Sequence, residues 1–400
     1  MRDEEHMVEF ATRAIHHGYD PMSEYGSLTP PVFLNATYAF NSAEEASAAF
    51  RGERPAYIYG RTRNPTQTLL EERIANLERA EAGLACASGI AALSATVLSL
   101  VSAGEEVIIH KHIYGNAFAF FTQHLARFGV TTRVVDLRDI GELQAALNAK
   151  TRIVFFETPA NPSLEIMDIA AVSDIAHAGG ALVFVDNTFA TPALQRPIEF
   201  GADLVMHSAT KYLGGHGDLI GGLLAGRAEL LHRARQVGLR AITGAAMSPL
   251  TAFLVLRGLK TLDLRMAQHS ASASALAHML AEHPAVRTVS YPGLPSFPQR
   301  HLAERQMSRP GGLISLELNG GMKAGMKFMN NLRLARIAVS LGETETLVQH
   351  PASMTHSTYT EADRAEYGVS DGLIRISVGL ESFADLQRDF QHALDQLDRD

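Results

Sequence analysis

A single cysteine, Cys86, among 400 residues excludes an intrachain disulfide and fits a reducing compartment, so a cytoplasmic protein is expected. It also leaves no pair of cysteines at zinc-binding spacing. Cys86 stands in GLACASGIAAL, and such apolar neighbours suit a buried structural thiol better than a nucleophile. No segment reaches the run of about 18 apolar residues that crosses a bilayer. The opening MRDEEHMVEF is acidic and lacks the apolar centre of a secretory signal. An excess of basic residues is missing as well. Lys and Arg total 35 against 43 Asp and Glu, a net charge of −8, which argues against a nucleic-acid or polybasic membrane surface. No G-x-G-x-x-G turn follows any strand-like run, so a dinucleotide site has no support. Internal repeats and low-complexity segments are absent.

What is present is ordinary globular material: 46% hydrophobic and 20% charged residues, enough for a large core. The length suggests about two to three domains. Residues 1–62, with Pro30-Pro31 and YIYGRTRNP, read as an extended arm. From residue 63 helices alternate with strands. Asn64-Pro65 opens a helix over NPTQTLLEERIANLERAE. EEVIIH, TRVVDL, TRIVFFE, ALVFVD and ADLVMHS read as strands, and IAAVSDIAHAGG as a helix closed by Gly179-Gly180. This alternation predicts an α/β fold with a mostly parallel sheet covered on both faces, over residues 63–255. Near residue 250 one long helix, SPLTAFLVLRGLKTLDLRMAQHSASASALAHMLAEHP, leads to a smaller α+β domain over 256–400. There GGLISLEL and LIRISVGL are strands and FADLQRDFQHALDQLDRD is an amphipathic helix.

Ligands of open α/β sheets bind beyond the carboxyl ends of the strands. Asp186 closes one strand. Ser208, Thr210 and Lys211 follow another in HSATKYLGGHGD, and Tyr114 follows a third. Ser88-Gly89 opens an apolar helix whose free N–H groups and dipole favour an anion, above all a phosphate. Each has an ordinary reading. A lone lysine is usually solvated, a strand-end aspartate is usually a turn or cap residue, Ser-Gly is usually an N-cap, and Tyr114 is by default a core-edge aromatic. Together they meet the needs of pyridoxal 5′-phosphate (PLP): an amine for a Schiff base, a carboxylate for the ring nitrogen, an aromatic face and a phosphate cradle.

On YGRTRNPT, ASGIAAL, VDNTFATP, HSATKYLGGHGD and QHPASMTHSTY, the chain resembles the Cys/Met-metabolism (trans-sulfuration) family of PLP enzymes. The resemblance covers nearly its whole length and comes nearest the methionine γ-lyase branch, through ATRAIHHGYDP and GETETLVQHPASMTHSTYT. It implies the fold-type-I architecture, with PLP as a covalent aldimine on Lys211, Asp186 on the pyridinium nitrogen and Tyr114 stacked on the ring and moving protons. It implies a phosphate site from Ser88, the Gly89 and Ile90 amides, Ser208 and Thr210, completed by Tyr59 and Arg61 of a neighbouring subunit in a homotetramer built of dimers. Asn161 is implied at the ring's oxygen. Arg375, otherwise readable as a strand-surface ion pair, is implied as the clamp on the substrate carboxylate, aided by Ser340.

The expected reaction is γ-elimination through a ketimine, from an amino acid carrying a heteroatom at Cγ. Lys211 moves protons and Tyr114 protonates the leaving group. Methionine γ-lyases usually carry a cysteine where this chain has Asn116, and a Lys-Asp pair where it has Arg240-Ala241. Cystathionine-specific relatives tend to have a glutamate at the position of Val339. Asn116 offers donors and an acceptor in place of a soft thiol, which admits canavanine-like or O-substituted homoserine substrates beside methionine and homocysteine. Alternative readings are γ-replacement (cystathionine γ-synthase or O-acylhomoserine sulfhydrylase), cystathionine γ-lyase and a non-catalytic PLP-binding regulator. The joint presence of Lys211, Tyr114 and Arg375 opposes the last.

Overall fold

The computed structural model describes residues 8–354 and 369–397. The end of the QHPASMTHSTYT stretch, from residue 355, lies outside them. Seven strands build the larger sheet: β1 (Ala82–Cys86), β2 (Glu106–His110), β3 (Thr131–Val135), β4 (Thr151–Glu157), β5 (Leu182–Asp186), β6 (Leu204–Ser208) and β7 (Gly222–Gly226), in the order β1-β7-β6-β5-β4-β2-β3. Pairing is parallel from β3 through β6, and only β7 runs against its two neighbours. The central strands are near-continuous apolar runs because both faces are covered. Ile153, Phe155, Phe184 and Met206 pack on one face with Leu93 and Val97 of the Gly89–Leu100 helix. Val154, Phe156, Val183, Val185 and Val205 pack on the other with Ile169, Val172 and Ala176 of the Ile169–Ala178 helix. This is the period of two expected of strands. The edge strand β3 is largely exposed, and Arg133 on it pairs with Glu106 at 3.0 Å.

A five-stranded sheet follows, made of β8 (Val286–Ser290), β9 (Leu313–Leu318), β10 (Arg336–Ile337), β11 (Leu347–Gln349) and β12 (Leu373–Ser377), ordered β10-β11-β12-β9-β8. Its core joins Ile314, Leu316, Ile374 and Ile376 to Leu276, Phe328 and Phe390 from three helices. A further cluster, including Leu70, Leu223, Leu259, Met266, Leu313 and Leu341, ties the two sheets together. That seam carries β12 and the loop before β11 to the carboxyl edge of the larger sheet.

Two expectations are corrected. The first 62 residues are more than an arm: helices span Phe10–His16 and Ala43–Phe50, and Ala14 is buried against Leu69 and Leu70 of the Pro65–Glu78 helix. The long helix after residue 248 is two helices, Pro249–Leu259 and Leu262–Ala281. The break follows Gly258, where a Cβ would lie 2.4 Å from the Leu213 carbonyl oxygen. There the Gly258 carbonyl accepts from Arg265 at 2.8 Å and from Thr261 Oγ1 at 3.3 Å. Local boundaries otherwise obey local rules. Asn64 caps its helix by accepting the Thr66 N–H at 2.9 Å, and Pro65 occupies the first helical position, where no donor is needed.

Candidate active site

The carboxyl ends of β2, β4, β5 and β6 open into a cavity of about 590 Å³, also lined from the smaller sheet's side by Ser340, Gln349 and Arg375. Ser88, Gly89, Ile90, Tyr114, Asn116, Asn161, Asp186, Ser208, Thr210 and Lys211 all line it. Tyr59 and Arg61 are not among its lining residues. The Arg61 guanidinium lies 5.7 Å from the Tyr59 ring centroid and donates to the Arg240 carbonyl. Arg240 and Ala241 are likewise away from the cavity, whereas Val339 borders it.

The anion cradle is local chemistry. Ser88 Oγ accepts the Ala91 N–H at 3.1 Å, leaving the Gly89 and Ile90 N–H groups without intrahelical acceptors at the helix mouth. Gly222 of β7 presses on this turn so closely that a Cβ would sit 2.0 Å from the Ser88 carbonyl oxygen. Gly222→Ala is therefore expected to lower stability by about 1–3 kcal/mol through overpacking. It should also weaken retention of a phosphate ligand, checked by thermal unfolding with and without added phosphate. Thr210 is already engaged: its Oγ1 accepts the Gly221 N–H at 3.1 Å and faces the Gly221 carbonyl at 3.3 Å.

Lys211 Nζ donates to Ser340 Oγ at 2.7 Å. Burial, and then the nearby charge of Arg375, lower its pKa from 10.5 to about 8, so an uncharged amine is accessible near neutrality. Ser340 adopts a φ of 102°, a conformation that disfavours a side chain. Its hydroxyl meets Lys211, and its carbonyl accepts from Arg375 Nη2 at 2.8 Å. Arg375, only 7% exposed, also donates from Nη1 to Asn161 Oδ1 at 3.0 Å. Burial lowers its pKa to about 10. Arg375 is buried and not on a strand surface, and among the described residues no carboxylate lies within ion-pair distance of its guanidinium.

Two residues that the sequence reading passed over stand beside Asp186. Thr188 donates to Asp186 Oδ1 from its N–H at 2.9 Å and from its hydroxyl at 2.5 Å, and its Oγ1 accepts the Ser208 N–H at 2.9 Å. The D-x-T spacing after a strand is the available signal, an Asx turn. Glu157, 5% exposed at the end of β4, accepts the Tyr114 N–H at 2.6 Å and the Asn161 N–H at 3.4 Å. Its place as the last residue of TRIVFFE was the signal. Burial, then the neighbouring Asp186 charge, push Glu157 well above the usual carboxylate range. Burial also raises Asp186, against the hydrogen bonds from Thr188.

His110, His112 and Glu165 bring their ligand-type atoms within 4.8 Å of one another, yet the donor pattern does not suit a cation. His110 Nδ1 accepts the Leu137 N–H at 3.1 Å, so the neutral ring carries its proton on Nε2, the nitrogen facing Glu165 Oε2 at 3.6 Å. That nitrogen presents a donor where a metal needs a lone pair. His112 Nδ1 lies 2.7 Å and Arg138 Nη1 2.5 Å from Glu165 oxygens. The carboxylate is a brace for the segment that leads to Tyr114.

A buried amine of lowered pKa, a carboxylate held by an Asx turn, an aromatic ring 47% exposed over the cavity and a helix mouth with free N–H groups match the donor set that PLP requires. Fold and site together define a fold-type-I, PLP-dependent enzyme. The chain belongs to the Cys/Met metabolism PLP-dependent enzyme family, whose family model matches residues 11–395. It is 54% identical to L-methionine gamma-lyase of Pseudomonas putida, over 96% of this chain and 97% of that one. It is 49% identical to L-methionine gamma-lyase of Porphyromonas gingivalis, over 97% of each. Identity to O-succinylhomoserine sulfhydrylase of Pseudomonas aeruginosa is 43%, over 96% of this chain and 95% of that one. The crystal structure of metB from Corynebacterium glutamicum superposes with a TM-score of 0.92 at 38% identity, covering 98% of this chain and 99% of that one.

Proposed function

We propose that this chain is a γ-lyase that releases the heteroatom substituent from Cγ of a methionine-like L-amino acid. The observation that carries the reading is the meeting of Lys211, Ser340 and Arg375 in one cavity. A proton-moving amine and a carboxylate clamp are held by the same serine. PLP, when bound, supplies an electron sink for charge developing on the substrate carbons. Gly89, Ile90, Ser88 and Ser208 hold its phosphate, with Thr210 contributing by leaving the Gly221 carbonyl, and Asp186 holds its ring nitrogen. Asn161, whose Oδ1 is committed to Arg375, would offer its amide N–H to the ring oxygen. Arg375 grips the substrate carboxylate bidentately. Lys211, uncharged, takes the Cα proton and carries protons onward, and Tyr114 delivers one to the leaving heteroatom. Borohydride reduction of the holoenzyme is expected to attach the cofactor to the peptide containing Lys211; attachment elsewhere contradicts the assignment.

A second substrate reading rests on Asn116, whose Nδ2 donates to the Tyr114 hydroxyl at 3.0 Å. That amide polarises the proton donor and favours a polar leaving group, such as the oxyguanidine of canavanine or an O-substituted homoserine. Assays of 2-oxobutyrate, homoserine and thiol release with methionine, homocysteine, cystathionine, O-acetylhomoserine and canavanine separate the readings. Substitution product formed only when a thiol is added identifies γ-replacement. Asn116→Cys is expected to move preference toward methionine; an unchanged profile removes this position from the selectivity argument.

Tyr59 and Arg61 we assign to the phosphate site of a neighbouring copy, within a homotetramer of dimers. The support is that both stand outside their own chain's cavity on an exposed stretch. Mixing inactive Lys211→Ala and Arg61→Ala chains then rebuilds one intact site per hybrid dimer, about a quarter of wild-type activity for random pairing. No recovery on mixing contradicts the shared site. Among the described residues no helix is long and apolar enough to cross a membrane; we place the enzyme in the cytoplasm on its single cysteine, a composition that suits a reducing compartment.

A further inference from the structure

The last residue of β4 and the last residue of β5 are register partners on adjacent parallel strands, Glu157 beside Asp186, and both line the cavity. Registered residues on neighbouring strands point to the same face about 4.8 Å apart. Two carboxylates so placed in a buried site do not both ionise, and one proton is retained between them. We propose that Glu157 keeps that proton, positions Tyr114 and Asn161 as a neutral acid, and leaves Asp186 as the carboxylate for the ring nitrogen. The proposal rests on the reading of this cavity as the PLP site.

The hydrogen bonds decide which partner is neutral. Burial raises Asp186, but its Oδ1 receives two donors from Thr188, at 2.9 and 2.5 Å, which oppose that effect, and nearby His207 acts in the same sense as those donors. His207 is itself paired with Glu78 at 2.6 Å, both wholly buried. Glu157 receives one short donor, the Tyr114 N–H at 2.6 Å on Oε1, while the Asn161 N–H reaches Oε2 only at 3.4 Å. A carboxylic acid suits that asymmetry, with a carbonyl oxygen taking the short bond and a hydroxyl oxygen taking little. Among the described residues, Arg375, Tyr114, Lys211, Lys111 and His112 are the other ionisable groups lining this cavity. Arg375 favours an ionised Glu157, but its guanidinium directs N–H groups at Asn161 Oδ1 and the Ser340 carbonyl. Burial and the Asp186 charge prevail over it.

A neutral Glu157 leaves one negative charge opposite one pyridinium. Its carbonyl also fixes the backbone that aims the Tyr114 ring, so it acts through Tyr114 and Asp186 as a positioning residue. Glu157→Gln preserves the carbonyl acceptor and the neutrality; Glu157→Ala removes the acceptor. In the holoenzyme, infrared difference spectra with labelled glutamate are expected to contain a carboxylic-acid band that Glu157→Gln removes. The ring-nitrogen 15N signal of labelled PLP is expected to stay that of a pyridinium in Glu157→Gln and to be lost in Asp186→Asn. Glu157→Ala is expected to lower kcat by on the order of 10²-fold, and Glu157→Gln by less than about tenfold. Absence of the carboxylic-acid band, or loss of the pyridinium signal in Glu157→Gln, overturns the proposal. A pyridinium signal that survives in Asp186→Asn overturns the underlying site reading instead, as does borohydride labelling away from Lys211.

Discussion

Replacing Lys211 with alanine is expected to lower turnover by about 10³-fold or more, since in the proposed mechanism one amine supplies both the cofactor attachment and the proton transfers at the substrate carbons. Cofactor binding without covalent attachment should persist through the phosphate cradle and Asp186. A small added amine should restore part of the rate by replacing the missing base. Normal turnover in the variant would end the proposed mechanism. The cofactor-free wild type offers an independent test through pH. Only the uncharged amine captures an aldehyde, and the folded Lys211 has a pKa of about 8 in place of 10.5. Capture should therefore speed up with rising pH as far as about 8 and level off above it, while an ordinary lysine would continue to gain toward 10.5. A profile still rising steeply above pH 9 refutes the lowered pKa.

Arg375→Leu is expected to reduce kcat/KM by about 10²–10³-fold, with most of the effect in KM. On the proposed clamp assignment, Arg375 grips the substrate carboxylate equally before and during the chemical step, and its removal leaves that charge without its partner. The same substitution removes a positive neighbour that helps to depress Lys211. The pH at which aldehyde capture levels off should accordingly move upward. An unchanged KM removes the clamp assignment; an unchanged capture profile removes the coupling. Arg375→Lys should not restore full affinity, because a single ammonium cannot reproduce the two-pronged guanidinium grip. The Asn161 and Ser340 oxygens that now hold Arg375 are left without that geometry.

Most of the strand and helix inventory near the site was legible in the sequence because each piece obeys a short-range rule. TRIVFFE and ALVFVD are apolar on both faces, Asn64-Pro65 caps a helix, and Ser88-Gly89 opens one. Strand ends in such a sheet are where ligands bind, so Asp186, Ser208 and Lys211 could be named from their place after apolar runs. The antiparallel β7 was harder. GGLLAG is short and flanked by glycines, and its direction depends on pairing with β1 and β6. The apparent single helix after residue 248 was misleading because helical periodicity runs through Lys260 and Thr261, whereas the break depends on close packing at Gly258.

Glu157 and Thr188 were passed over for different reasons. Glu157 looks like any acid at the end of a strand; only its register beside Asp186 makes its proton matter. Thr188 is a small hydroxyl in a turn until the Ser208 backbone is brought to its oxygen. Ser340 lies 129 residues from Lys211 in the chain, and neither its φ of 102° nor its double contact follows from RIAVSLGE.

By itself the sequence determined the class of fold, the chemistry-bearing residue types and their placement at strand ends, since these follow from local periodicity, capping and the geometry of parallel sheets. Only the tertiary structure decided which of those groups meet. It closed the seam that brings Arg375 and Ser340 over Lys211, and it set Tyr59 and Arg61 outside their own chain's cavity. It also removed enough water to lower the lysine's pKa and make two neighbouring carboxylates compete for a proton. Desolvation and charge proximity are properties of the assembled core, and no stretch of residues carries them alone.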